Sequence, residues 1–222
     1  MRKFIFATIA VLVSLQSATV QAQSSGTETE IIFVKEKEEE ARQQLRRILS
    51  SYDLDPWIFT QEVKIEVGAQ PYSHPILTLN TDFLDSDEQQ MSIFVHEQAH
   101  WFVSESVPYR APENGEEVEI IKELQQLYPN APVSDYSTFL HLIVGWIELD
   151  AMVELVGEEK ARELLKKKIQ RLTDEPLSQV DQRYKWYNMR VLEDTQEIGM
   201  ILAKHDLIIT PDRGLIVETN GE

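Results

Sequence analysis

The sequence predicts an α+β fold in a single domain that is mostly helical and contains a small antiparallel sheet. Two short β-like runs, residues 63–67 and 75–80, lie in the first half of the chain, and helical patterns fill most of the remainder. Strands followed by a series of helices are typical of the α+β class. No internal repeat is visible, and no linker is long enough to divide the 222 residues into two domains.

The composition is that of an ordinary globular protein, with 42% hydrophobic and 27% charged residues. The chain carries 38 acidic against 21 basic residues, a formal charge of -17, which makes it a poor candidate for binding nucleic acid. Cysteine is absent, so disulfides, thiolate metal sites and cysteine nucleophiles are excluded. Phosphate-binding glycine loops and serine-hydrolase motifs are absent as well, so nucleotide and serine-hydrolase functions have no support.

The N-terminal segment has the pattern of a secretory signal peptide. Arg2 and Lys3 precede an apolar run over residues 4–15, and small residues follow up to the expected cleavage point. We therefore expect residues 1–22 to be removed, which leaves a secreted or periplasmic domain over residues 23–222 with no stable membrane span. An uncleaved N-terminal anchor is the alternative, although the apolar run is short for a span.

The N-terminal third of the mature chain is predicted to form one surface helix and two strands. Residues 35–49 are highly charged, with apolar residues at helical spacing, which indicates a helix with one buried stripe. Alternation over residues 63–67 indicates a half-buried strand, and residues 75–80 form a second short strand that begins at a proline. The two strands could pair as an antiparallel hairpin across the loop 68–74.

The remainder of the chain is predicted to be helical. Ser86, which is followed by two acidic residues, marks the start of a helix, and Gly157 marks the end of a long apolar helix that Ser134 or Asp135 can cap. Sequence patterns place helices at residues 87–103, 113–128, 134–156, 158–172 and 179–205. Two short β-like runs complete the chain, at residues 207–210 and 215–218.

The segment His96-Glu97-Gln98-Ala99-His100 is the strongest functional signal. Histidines at i and i+4 share one helical face, so His96 and His100 can bind one metal ion. Zinc accepts nitrogen and carboxylate ligands and keeps one position for water in catalytic sites, and Glu97 can act as general base on that water. Apolar neighbours on both sides indicate a buried helix, in which such polar residues are costly unless a partner satisfies them. The alternative is a pair of core histidines with backbone hydrogen bonds.

With this His-Glu-x-x-His (HExxH) motif the sequence resembles the zincin metallopeptidases. The resemblance covers residues 91–103 and a downstream helix. It implies a zincin-like fold in which the motif helix packs beside the small sheet and an edge strand, here residues 75–80, aligns the substrate. It also implies a Zn2+ cofactor, a peptide or protein substrate, and hydrolysis by metal-activated water. The longer metzincin pattern is absent, because no histidine lies six residues after His100.

The third metal ligand is expected on the helix at residues 134–156. The resemblance to the gluzincin branch implies a Glu from a downstream helix, and Glu148 is the best match. His141 lies seven residues before Glu148 on the same face, so it could be the ligand, an oxyanion donor or an orienting group. We favour Glu148 as the ligand, although both could bind the metal and His141 could also be a core histidine. Gly145 on this face would allow a close approach of metal or substrate.

Other residues are weaker candidates for the site. The partner that orients the motif histidines is not identified, because Met152 stands where the resemblance implies an acid. Asp150 points away from the face of Glu148 and is treated as non-ligating. The remaining candidates are predicted to be structural or solvated: the aromatic cluster Tyr184, Trp186 and Tyr187, the loop residue His74, and the lysine run 166–168. A tyrosine hydroxyl that stabilises an oxyanion is the alternative for the cluster, and a position on the wall of the cleft is the alternative for His74.

Two hypotheses from different classes remain. The first is an exported zinc metallopeptidase in which zinc is held by His96, His100 and Glu148, and Glu97 activates water. The second is a catalytically inactive zincin-like module that binds the metal for structural or interaction purposes. Retention of Glu97 favours the enzyme, because a purely structural zinc site closes its fourth position. No motif defines the substrate sequence or the oligomeric state.

Overall fold

The computed structural model describes residues 27–108, 116–173, 178–211 and 215, without the side chains of residues 27–34, 179 and 181. The predicted signal peptide and most of the predicted run 215–218 lie outside these ranges. The described part is mostly helical with one small sheet, which confirms the α+β class. Its elements are α1 (Thr27–Ser51), β1 (Val63–Ile65), β2 (Leu77–Leu79), α2 (Asp87–Ser106), α3 (Glu119–Leu127), α4 (Tyr136–Val156), α5 (Glu158–Arg171), α6 (Gln179–Glu193) and α7 (Thr195–Lys204).

Local capping signals set the ends of the central helices. Ser86 caps α2, because its side chain accepts a hydrogen bond from the N–H of Gln89 at 3.3 Å. Asp135 caps α4 in the same way, at 2.8 Å from the N–H of Thr138. Gly157 ends α4 and directly precedes α5 with a φ of 84°, a conformation that favours glycine. The predicted start of α2 and the predicted end of α4 are therefore confirmed.

Other boundaries differ from the prediction. Two helices begin elsewhere, α1 at Thr27 instead of residue 35 and α3 at Glu119 instead of residue 113. The helical pattern over residues 179–205 forms two helices that break at Asp194, whose carboxylate accepts a hydrogen bond from the Tyr128 hydroxyl at 3.0 Å. Asp194 is also the N-cap residue of α7 and is followed by Glu197 three residues later, so the break has a local signal that the prediction missed. The predicted strand at residues 207–210 does not form.

The small sheet is parallel, with Val63 of β1 opposite Leu77 of β2. The connecting segment takes the antiparallel position beside β2, because the backbones of Tyr72 and Thr78 exchange hydrogen bonds of 3.1 and 2.8 Å. The predicted antiparallel hairpin is therefore wrong. Since β2 is paired on both sides, it is also not the edge strand that was predicted. It does pack against α2, the helix that carries the motif.

Helix α4 is the centre of the core and packs against α2, α5 and α6. It is apolar on all sides, and its residues Leu142, Ile143 and Val144 are fully buried. Polar side chains on such a helix are costly to bury without hydrogen-bond or charged partners. The buried carboxyls of Glu148 and Asp150 therefore require such partners. In the ranges that the structure describes, no helix is sufficiently long and apolar to cross a membrane.

Candidate functional site

Three imidazoles from α2 and α4 meet at one place. The ring centroids of His96 and His100 are 5.0 Å apart, and the ring of His141 lies 4.9 Å from His100 and 6.3 Å from His96. The first two share a face of α2 because they are four residues apart, and the packing of α4 against α2 adds the third. The structure thus brings together the three histidines that the sequence assigned to the site.

Hydrogen bonds at Nδ1 orient two of these rings. Nδ1 of His141 donates to the carbonyl oxygen of Ser137 at 2.7 Å, one turn earlier in α4. Nδ1 of His96 lies 2.8 Å from Oε2 of Glu148. In both rings Nε2 is the nitrogen that is left for a further partner, which is the usual arrangement of metal-binding histidines.

Burial favours the neutral form of two imidazoles. Burial, together with the neighbouring His96 and His141 rings, lowers the pKa of His100 to about 2. Burial also lowers the pKa of His141 to about 4, against an opposing hydrogen bond to the Ser137 carbonyl. Both rings are therefore uncharged at neutral pH and offer a lone pair, which is the form in which imidazole binds a metal ion.

Glu148 is placed as the partner of His96. Its carboxylate accepts hydrogen bonds from the Ser92 hydroxyl and from Nζ of Lys168, which reaches both oxygens at 2.8 and 3.1 Å. Burial alone would raise the pKa of Glu148, but Lys168 and His96 hold it well below its usual range. Glu148 is thus an ionised carboxylate that orients His96, the role that the sequence left unassigned. This placement does not favour the predicted role of Glu148 as the third metal ligand.

Lys168 was not predicted to lie at the site. The lysine run was expected to be solvated, and Lys167 does pair with the exposed Glu163 at 2.6 Å. Lys168 is only 25% exposed and pairs with Glu148. It lies four residues after the buried Leu164, so the two share the inner face of α5. This helical spacing is the signal that could have separated Lys168 from its neighbours.

Glu97 faces the same cavity as the three imidazoles. The cavity has a volume of about 850 Å³ and lies between α2, α4, α5, α6 and the segments 70–73 and 80–83. The side chain of Glu97 is 6% exposed, and burial raises the pKa of its carboxyl. A carboxylate in such surroundings is a stronger base than one in open solvent. Three imidazoles and a base on one cavity are suited to binding a metal ion and deprotonating water.

Two tyrosines of α6 pack against His141, with ring-centroid distances of 5.5 Å for Tyr184 and 5.7 Å for Tyr187. Gly145 makes room for this packing, because a Cβ there would lie 3.3 Å from Cε2 of Tyr187. The glycine thus admits an aromatic ring, which differs from the approach of metal or substrate that was predicted. The buried hydroxyl of Tyr187 has no hydrogen-bond partner within the described ranges.

The other weak candidates are not among the described residues that line the cavity. Trp186 packs edge-on against Tyr128, with ring centroids 5.4 Å apart, so the predicted aromatic cluster is divided between core and cavity. His74 is a loop residue, as predicted, and its ring stacks on Trp101 at 4.2 Å. It is not among the described residues that line the cavity.

Across the described residues, no group of three or more His, Cys, Asp or Glu side chains is arranged, as it stands, to hold a metal ion. The wide separation of the His96 and His141 rings agrees with that finding. Comparisons with protein-family models, curated proteins and solved structures find no match to this chain.

Proposed function

We propose that this protein is an exported zinc-dependent hydrolase that cleaves peptide bonds. In this proposal His96, His100 and His141 hold zinc, and Glu97 is the general base. The observation that carries the proposal is the convergence of three imidazoles from two helices on the cavity that Glu97 faces. The peptide substrate rests on the resemblance of the His-Glu-x-x-His motif, and export rests on the N-terminal segment.

The type of the three donor groups and two of their separations support zinc. Three imidazoles around a tetrahedral zinc have ring centroids about 5 Å apart, since each Zn–N bond is about 2.0–2.1 Å long. Two of the observed separations, 5.0 and 4.9 Å, have this value, and the third, 6.3 Å, is wider. Neutral nitrogen donors favour zinc over calcium and magnesium, which prefer oxygen ligands.

His141 takes the place of Glu148 in the ligand set, because the carboxylate of Glu148 already accepts hydrogen bonds from three side chains. A carboxylate that binds the outer nitrogen of a metal-binding histidine fixes the ring and makes it a better ligand. Lys168 in turn neutralises that carboxylate. The chain of contacts from Lys168 through Glu148 to His96 therefore ties α5, α4 and α2 together at the site.

Each residue then has a distinct role in hydrolysis. When bound, zinc would lower the pKa of water and polarise the carbonyl oxygen of the substrate. Glu97 takes the proton from the attacking water and passes it to the leaving amine. Its burial, which raises the pKa of the carboxyl, improves it as a base. Glu148 and the Ser137 carbonyl keep His96 and His141 in their orientations.

Metal analysis of purified variants tests the ligand set. We expect the wild type to bind zinc, and His100→Ala and His141→Ala to lose it, because each removes one of the three proposed ligands. His74→Ala is the matched control and should keep its zinc, since its ring stacks on Trp101 outside the cavity lining. A wild type that binds no zinc, or a His141→Ala variant with full stoichiometry, would contradict the proposal. Stoichiometric zinc without hydrolysis of any peptide would favour the inactive module.

Glu148→Gln distinguishes an orienting residue from a ligand. We expect the variant to bind zinc at saturation but roughly 10- to 100-fold more weakly, because the charge that supports the His96 ring is lost. Competition with a chelator measures this affinity. Glu163→Gln, which changes an exposed residue of α5, should leave it unaltered. Failure to bind zinc even at saturating metal would show that Glu148 is a ligand.

A further inference from the structure

Arg171 lies on the wall of the same cavity and has no role in the chemistry proposed above. It is the last residue of α5 and follows Leu164 and Lys168, which also line the cavity, by seven and three residues. Its guanidinium carbon is 4.6 Å from the centroid of the Phe83 ring, a cation–π contact that restrains the side chain. A long cationic side chain is therefore held at the cavity wall.

No acid among the residues that the structure describes neutralises the charge of Arg171. Lys168, the neighbouring cation of the wall, is paired with Glu148 at 2.8 Å, and Asp82 of the wall accepts a hydrogen bond from the Asn80 amide at 2.7 Å. Arg171 is exposed to solvent at the mouth of the cavity, and no acidic group among the described residues lies within ion-pair distance of its guanidinium. Five other arginines pair with acids among the described residues, namely Arg42, Arg47, Arg162, Arg183 and Arg190.

The helix dipole explains only part of this arrangement. A cation at the C-terminus of a helix is favourable, so the dipole accounts for the position of Arg171 in the sequence of α5. It does not account for a guanidinium that lies over Phe83 in a cavity shared with three imidazoles and Glu97. The planar guanidinium forms two parallel hydrogen bonds with a carboxylate, which is the partner that its geometry fits best.

We propose that Arg171 binds a carboxylate of the substrate, so that the enzyme prefers peptides with an acidic side chain or a free C-terminus near the cleaved bond. This inference rests on the proposed function and names its substrate class. The formal charge of -17 opposes the approach of an acidic peptide. Because that repulsion is screened beyond about 8 Å at physiological salt, direct contact with Arg171 decides the preference.

Cleavage of a mixed-sequence peptide library by the zinc-loaded wild type, read by mass spectrometry, tests the preference. We expect Asp and Glu to be enriched at one position, or cleavage to be confined to bonds near a free C-terminus. One cleaved peptide is then remade twice, with the acidic residue changed to its amide and with the C-terminus amidated. The change that lowers kcat/KM identifies the source of the carboxylate. We expect a drop of roughly 10- to 100-fold, which corresponds to the loss of a hydrogen bond between charged groups.

Arg171→Gln should abolish the difference between the acidic peptide and its amide counterpart. Lys167→Gln is the matched control, because it removes the same charge from the same helix at a residue that pairs with the exposed Glu163. This control should keep the preference. A wild type that cleaves both peptides equally, or a preference that survives in Arg171→Gln, would overturn the inference while leaving the proposed hydrolase intact.

The two proposals can fail separately. If the zinc-loaded wild type cleaves no peptide, the proposed function is wrong, and binding then decides the role of Arg171. Fluorescence anisotropy compares labelled peptide pools that differ only in Glu or Gln at the fixed positions, and pools with a free or amidated C-terminus. Tighter binding of a carboxylate pool that is lost in Arg171→Gln would support carboxylate recognition, and equal binding of all pools would overturn it.

Discussion

Glu97→Gln is expected to lower peptide hydrolysis by roughly 10²- to 10⁴-fold, the contribution that a positioned general base makes. The amide of glutamine cannot take a proton from water, although it has nearly the shape of the carboxylate. Zinc content should not change, because Glu97 is not among the three proposed ligands. Initial rates on one cleaved peptide, with zinc measured in the same samples, check both parts of this result.

Glu105→Gln provides the control, since Glu105 is exposed near the end of the same helix. This variant should keep both the rate and the zinc of the wild type. Undiminished hydrolysis by Glu97→Gln would mean that another group removes the proton from water. A variant that lost its zinc would place residue 97 in the metal site itself, which the proposed ligand set does not allow.

The helices that carry the site could be predicted because their signals are local. Ser86 with its following acids, and Gly157 after a long apolar run, mark ends that the structure confirms. The sheet could not be predicted in the same way. Two strands separated by a short loop favour an antiparallel hairpin, but Tyr72 in the loop takes the antiparallel position beside Thr78. Whether β1 or the loop takes the antiparallel position beside β2 depends on tertiary packing. The alternation of apolar and polar residues does not contain this information.

The candidate site shows the same division between local and tertiary information. The i, i+4 spacing places His96 and His100 on one face, and the spacing of seven residues places His141 and Glu148 on another. The different roles of His141 and Glu148 depend on how α2 and α4 pack. His141 lies beside the ring of His100, whereas Glu148 lies beside Nδ1 of His96. The contribution of Lys168 comes from a third helix, and no spacing within α4 predicts it.

Asp150 is a buried carboxyl of α4 that does not belong to the imidazole cluster. Its side chain is 2% exposed, and Oδ1 accepts a hydrogen bond from the backbone N–H of Leu215 at 2.5 Å. Burial, with the like charge of Glu154 one turn further on, raises the pKa of Asp150 to about 7. The ordinary pKa of an aspartate is about 3.9, so the folded state holds a proton that the unfolded state releases.

The free energy of unfolding is therefore expected to contain a contribution from Asp150 that falls as pH rises from about 4 to about 7. Below this window the carboxyl is protonated in both states, and above it the carboxyl is ionised in both. Asp150→Asn removes the contribution and keeps an acceptor for the N–H of Leu215. We therefore compare the free energy of unfolding of the variant with that of the wild type, measured by urea unfolding at pH of about 4 and about 8. The difference, variant minus wild type, should rise by roughly 2–4 kcal/mol from the lower to the higher pH.

Comparing the two pH values isolates the charge of Asp150, because any packing cost of the new amide is present at both and cancels. Asp206→Asn is the control, since Asp206 is exposed at a φ of 58°, where asparagine is well tolerated. It should reproduce the pH dependence of the wild type. If Asp150→Asn had the same pH dependence of unfolding free energy as the wild type, the carboxyl of Asp150 would ionise in the folded state as easily as in water. The hydrogen bond from Leu215 would then outweigh the effect of burial on its pKa.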